Sequence, residues 1–306
     1  MRKMFKKVLV IYSFMIISFI IFTKIVFANS TYLYKNENYN REKAREYALK
    51  WATSSNKEYY NFINDGGDCT NFVSQVLRAG GLEFKGSKLN ATSIDSWFYY
   101  SSDLPNRTST WTAAHPFNLH FGKEYKRAYN YREYKVYDAL INFDEIYETI
   151  YIGDIVQYSR PNNIAFHSQA ITDVLDKKTI YFSQHSNSVE NFYKNGNLKY
   201  YLLGKPNEYN FLVYTIKEEK NNVQTISKNS ILLTEEDYKK ELIEAIGMVK
   251  LSINDTRFDN RDYKNIETEK FIENMEKKIH NIEYNINYRS KTYKELFEEL
   301  IDRENI

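Results

Sequence analysis

Gly67-Asp68-Cys69-Thr70-Asn71-Phe72-Val73-Ser74-Gln75-Val76-Leu77-Arg78-Ala79-Gly80-Gly81 is the stretch on which the fold reading turns. Phe72, Val73, Val76 and Leu77 recur at helical spacing and form one apolar face. Asp68 stands where an N-cap is expected, and Gly80-Gly81 where a helix stops. Cys69 therefore falls in the first turn of a buried helix. The unpaired N–H groups and the positive end of the peptide dipoles at such a terminus stabilise a thiolate. Cys69 is also the only cysteine of 306 residues, so no intramolecular disulfide can form. An exported chain stapled by disulfides carries an even set of cysteines. A buried hydrophobe or an intermolecular bridge are the other readings of a lone cysteine.

Upstream, Asn40 to about Tyr59 is helical in pattern, with Ala44, Tyr47, Ala48, Trp51 and Ala52 on one face. Before it, Arg2, Lys3, Lys6 and Lys7 precede an apolar run from Val8 to Phe22, followed by Val26-Phe27-Ala28. This is the layout of a secretory signal peptide over residues 1–28, with an uncleaved anchor as the other reading. Residues 29–38 read as a polar leader. Loss of the signal removes five of the 42 basic residues, leaving 37 against 40 acidic ones. No basic stripe marks a nucleic-acid partner.

Downstream, residues 85–130 read as loops and short helices over a groove, with Trp97 and Trp111 as candidate groove residues. Five strands are expected: 154–158, 164–172, 179–185, 200–203 and 211–216. Beyond Lys228 the pattern is helical. Thr234-Glu235-Glu236-Asp237 resembles a capping box. Ile272, Met275, Ile279, Ile282, Ile286, Tyr293, Leu296 and Leu300 form an apolar seam. Residues 228–306 are expected to be a helical hairpin or coiled-coil-like extension. The seam either packs on the chain itself or serves self-association or a protein partner through residues 234–301.

A thiolate nucleophile needs a base, and the chain has five histidines. His280 lies beside the seam. His115 and His120 are spaced poorly for a metal, and no further ligands stand near them, so neither a metal nor another cofactor is expected. His167 lies mid-strand, where alternation puts Ala165, His167, Gln169 and Ile171 on one face. His185 ends the next strand, with Asn187 just beyond. If the two strands pair antiparallel, a polar group at 185–187 could fix the tautomer of His167.

The motif Gly67–Gln75 followed by Ala79-Gly80-Gly81 closely resembles the nucleophile helix of the putative amidase domain family, a bacterial group similar to CHAP-type and other papain-like cell-wall cysteine peptidases. Tyr39-Asn40-Arg41 resembles the start of its first helix, and Trp111 after Thr108-Ser109-Thr110 its tryptophan segment. Gly153–Tyr158, His167–Ile171 and Gln184-His185-Ser186 resemble its later motifs, in order. The resemblance covers roughly residues 39–210 and implies an α+β, papain-like domain over residues 39–216: a nucleophile helix packed on an antiparallel sheet. It further implies Cys69 as nucleophile, His167 as base and His185 as orienting group, with Asn187 in reserve. The backbone N–H of Cys69 would contribute to an oxyanion hole, and Asp68 would cap the helix or lend orienting support. The expectation is an exported or envelope-attached cysteine amidase or peptidase acting on peptidoglycan peptides or another peptide amide. Acyl transfer to an amine, and a non-catalytic wall or protein binder using the helical tail, are the alternatives.

Overall fold

The computed structural model describes residues 34–175, 178–219, 233–254, 266–284 and 292–302. The expected signal peptide lies outside them, as does Ile286 of the seam. Among the described residues no helix is long and apolar enough to cross a membrane.

An open antiparallel sheet of six strands organises the chain, in the order β1-β6-β2-β3-β4-β5. Its central strands are β2 (Ile155–Ser159), β3 (Ala165–Leu175), β4 (Thr179–Gln184) and β6 (Asn210–Thr215). All four were expected from their apolar content, and β2 and β6 are buried throughout. The edge strands β1 (Asn130–Lys135) and β5 (Tyr193–Asn197) were not expected. β1 is largely polar, and Tyr-Lys-Asn-Gly-Asn in β5 has only Tyr193 among the residues that mark strands. Gly196 belongs there because a Cβ would meet the Phe182 ring of β4.

The expected strand at 200–203 is instead part of a helix, Leu198–Leu203. Asn197 caps it, its Oδ1 accepting from Lys199 N at 3.1 Å and Tyr200 N at 3.3 Å. A short apolar run buried on several sides suits either structure, and the cap decides.

Ten helices are described. We number them α1 (Arg41–Trp51), α2 (Cys69–Ala79), α3 (Ser109–Thr112), α4 (Ala114–Asn118), α5 (Val136–Ile141), α6 (Phe143–Thr149), α7 (Leu198–Leu203), α8 (Glu235–Asn254), α9 (Ile266–Tyr284) and α10 (Tyr293–Ile301). The expected helix through Tyr59 ends as α1 at Trp51. Asn40 caps α1 through Lys43 N. Arg41 pairs with the fully buried Asp154 at 2.6 Å, and the Tyr39 hydroxyl donates to Gly153 O at 2.7 Å. The first helix is thereby tied to the start of β2.

The sheet separates two apolar clusters. On one face Phe72, Val73, Val76 and Leu77 of α2 pack with Ile155, Ala170, Leu212 and Tyr214. On the other, Val156, Tyr158, Ile171, Phe182, Phe211 and Val213 pack with α7 and α8. The seam joins this second cluster. Ile272, Met275, Leu296 and Leu300 are buried in it, and Ile279 and Ile282 pack against it. Thr234 and Asp237 cap α8 reciprocally, with the Thr234 hydroxyl accepting from Asp237 N and Asp237 Oδ2 from Thr234 N.

Candidate active site

Cys69 is the first residue of α2 and is buried. The polar residues of its motif each have a tertiary partner. Thr70 Oγ1 lies 3.0 Å from Ser168 Oγ of β3. Asn71 accepts from Trp111 Nε1 at 2.8 Å and donates to Asp68 Oδ1 at 2.8 Å. Ser74 Oγ accepts from Trp97 Nε1 at 3.2 Å and donates to Trp111 O. Gln75 accepts from the Tyr47 hydroxyl at 2.7 Å.

Trp97 and Trp111 are therefore not groove residues. Both are fully buried, their rings 4.7 Å apart, and their indole N–H groups hold α2 in place. A buried indole requires an acceptor, and α2 supplies one to each.

Asp68 occupies the N-cap position, yet its side chain makes no capping bond. Its Oδ1 accepts from Phe62 N at 3.0 Å and from Asn71 Nδ2, and its Oδ2 lies 2.6 Å from His185 Nδ1. The imidazole is sandwiched between Phe72 and Phe192, with ring centroids 4.1 and 3.8 Å away. His185 Nε2 lies 2.7 Å from Trp51 O. A backbone carbonyl only accepts, so Nε2 carries a proton. The Asp68–His185 contact then shares one further proton between Oδ2 and Nδ1. In this arrangement the ring has no nitrogen open to a thiol proton.

The expected His185–His167 pairing is replaced by Gln184. His167 Nε2 lies 2.8 Å from Gln184 Oε1, which also accepts from Gln169 Nε2 at 2.7 Å. Gln169 accepts in turn from the Tyr158 hydroxyl at 2.8 Å. Gln184 Nε2 donates to Asn191 O at 2.9 Å, which fixes the orientation of the amide. Oε1 therefore faces His167, Nε2 of the ring carries the proton, and Nδ1 is the lone-pair nitrogen of the neutral ring. Asn187 is exposed and accepts from Ser186 Oγ at 3.2 Å, away from this cluster.

Strand register assigns the faces. Tyr158 pairs with His167, Gln157 with Ser168 and Val156 with Gln169. Ser168 and Ala170 face α2, whereas His167, Gln169 and Ile171 turn toward α7, with Tyr158 and Tyr201 beside the His167 ring. A register shift between Tyr158 and Ser159 makes Phe166 an extra residue and returns Ala165 to the α2 face, so Ala165 and His167 do not share a face. Helix α2 thus meets β3 through Thr70 and Ser168, one residue from His167.

His120 is buried. Nδ1 bonds Ile94 O, and Nε2 lies 3.3 Å from Arg127. Burial, with the Arg127 charge, lowers its pKa to about 3. His115 is half-buried, with a pKa lowered mainly by burial. Among the described residues no group of three or more His, Cys, Asp or Glu side chains is placed to hold a metal ion.

The family described as "Putative amidase domain" matches residues 38–214, more than half of the chain and all six strands. The chain belongs to this family. The amidase domain therefore includes Cys69, His167, Gln184 and His185 and ends just before the last residue of β6. Its family supports a hydrolase acting on amide bonds. No curated protein and no solved structure matches the chain. Gln184, Thr70 and Ser168 were not singled out from sequence. Each lies in a motif quoted for the family resemblance and adjoins a residue that was singled out.

Proposed function

We propose that this amidase is an exported or envelope-attached cysteine enzyme of papain-like mechanism that cleaves peptide amides, with peptidoglycan stems or bridges as its substrate. One observation carries the reading: Cys69 opens an eleven-residue helix inside the family segment, where a helix terminus favours the thiolate. The thiolate attacks the amide carbonyl, and the Cys69 backbone N–H contributes to binding the oxyanion. The amine leaves after protonation, and water hydrolyses the resulting thioester. Export rests on the N-terminal pattern, and an exported amidase meets peptidoglycan as an abundant amide substrate.

His167 is the proposed proton acceptor. Its fixed tautomer supports this, since Nε2 donates to Gln184 and Nδ1 keeps the lone pair. The test is hydrolysis of a defined muropeptide by wild type, Cys69→Ala and His167→Ala. Loss of turnover in both folded variants supports the proposal. Unchanged hydrolysis in Cys69→Ala overturns the nucleophile, and unchanged hydrolysis in His167→Ala overturns the base.

A further inference from the structure

We propose that Gln157, Ser168 and Thr70 form a one-way chain of hydrogen-bond donors that ends on the Cys69 sulfur and favours its thiolate form. The inference rests on the reading of Cys69 as nucleophile and adds three positioning residues to it.

The chain is anchored at Gln157. Its Nε2 lies 3.1 Å from Ala114 O, which only accepts, and its Oε1 lies 2.6 Å from the Tyr214 hydroxyl, whose one hydrogen is also within reach of Asn118 Oδ1 at 2.8 Å. These contacts set the amide from outside, so the other Nε2 hydrogen is given to Ser168 Oγ at 2.8 Å. Ser168 Oγ lies 3.0 Å from Thr70 Oγ1, and Thr70 Oγ1 3.4 Å from Cys69 Sγ. Gln157, Ser168 and Thr70 are fully buried, so bulk water does not compete for these bonds.

The two states of the sulfur use this chain differently. A thiolate only accepts. Thr70 then donates to sulfur, Ser168 donates to Thr70, and Gln157 donates to Ser168, so each hydroxyl donates once and accepts once. A thiol that gives its S–H to Thr70 reverses the first two links. Ser168 then accepts from both Thr70 and Gln157, and its own hydrogen has no acceptor within the chain. A buried donor left without an acceptor is costly, and a hydrogen bond to a charged acceptor is stronger than a neutral one. A thiol that instead accepts from Thr70 keeps the direction of the chain but receives only a neutral hydrogen bond, so the charge-assisted bond favours the thiolate in either case. The links come from β2, β3 and α2, so the chain exists only when the helix is seated on the sheet.

The titratable groups around the start of α2 include Asp68, the His185 that follows β4 and pairs with it, and His167 of β3, which turns to the other face. The variants below leave all three in place.

The test is the rate of Cys69 alkylation by iodoacetamide against pH, on the full chain, in wild type, Thr70→Val, Thr70→Ser and Ser168→Ala, with circular dichroism to verify folding. The expected result for Thr70→Val is a midpoint raised by about one pH unit, hence roughly tenfold slower alkylation below both midpoints, with the same plateau at high pH. Ser168→Ala shifts in the same direction by less, and Thr70→Ser restores the wild-type curve. Thr70→Val and Ser168→Ala curves with the wild-type midpoint overturn the chain, as does a change confined to the plateau. A wild-type midpoint near the free-thiol value of about 8.5 overturns the nucleophile reading as well. A depressed midpoint shared by all four proteins overturns the chain alone.

Discussion

Asp68 engages both carboxylate oxygens, binding the loop at Phe62, the helix at Asn71 and, just after β4, His185. Removing one partner of a buried pair leaves the other unsatisfied. Asp68→Ala is expected to lower stability by about 3–5 kcal/mol in urea denaturation. Asp68→Asn should cost less, since Oδ1 keeps its two bonds and the amide can donate to Nδ1 of a neutral ring. A second residue-scale prediction concerns His120, whose folded pKa of about 3 lies below its ordinary 6.5. Between those values the unfolded chain binds the extra proton and the folded chain does not. Stability therefore falls as pH drops below about 6.5, by up to about 1.4 kcal/mol per pH unit from this group. The dependence of ΔG on pH should flatten over that window in His120→Gln, and an unchanged slope would refute the assignment.

Gln184 and Gly80 test the elements that present the site. Gln184→Leu removes the acceptor that fixes the His167 tautomer while leaving β4 its apolar packing. If His167 is the base, kcat should fall at least tenfold with a smaller change in KM, because orientation is lost rather than binding. At the C-terminus of α2, a Cβ on Gly80 would strike the ring of Tyr39, whose hydroxyl is held by Gly153 O. Gly80→Ala should cost about 1–3 kcal/mol, read from the urea midpoint. Much at this scale was legible in the sequence. The helix at Cys69 and the four central strands stand at their expected places because their apolar periodicities are strong. The edge strands β1 and β5 were not legible, since polar residues suffice where a strand has one neighbour. Leu198–Leu203 misled because burial on several sides erases periodicity.

The C-terminal helices bear on the whole molecule. Leu242, Ala245, Met248 and Val249 of α8 share one apolar cluster with Phe182, Tyr201 and Leu202, and Lys205 Nζ donates to Ser252 O at 2.7 Å. Deleting residues 233–306 would expose this face to water. The truncated chain is expected to aggregate or lose its cooperative unfolding transition, as read by size-exclusion chromatography and thermal denaturation. A soluble, cooperatively folded truncation would show instead that the amidase domain stands without the tail.

Local sequence determined that Cys69 begins a helix, that apolar strands follow, and that no basic stripe runs along the chain. These properties depend on residues within a turn or a strand of one another. Tertiary structure alone decided the partners: His167 with Gln184, His185 with Asp68 and Trp51, Thr70 with Ser168, and Trp97 and Trp111 with α2 rather than a groove. One extra residue at Phe166 changes which side chains face α2. The Asp68–His185 contact joins residues 117 positions apart. Composition cannot specify such pairings, because strand register and the seating of a helix on a sheet are set by packing across the whole domain.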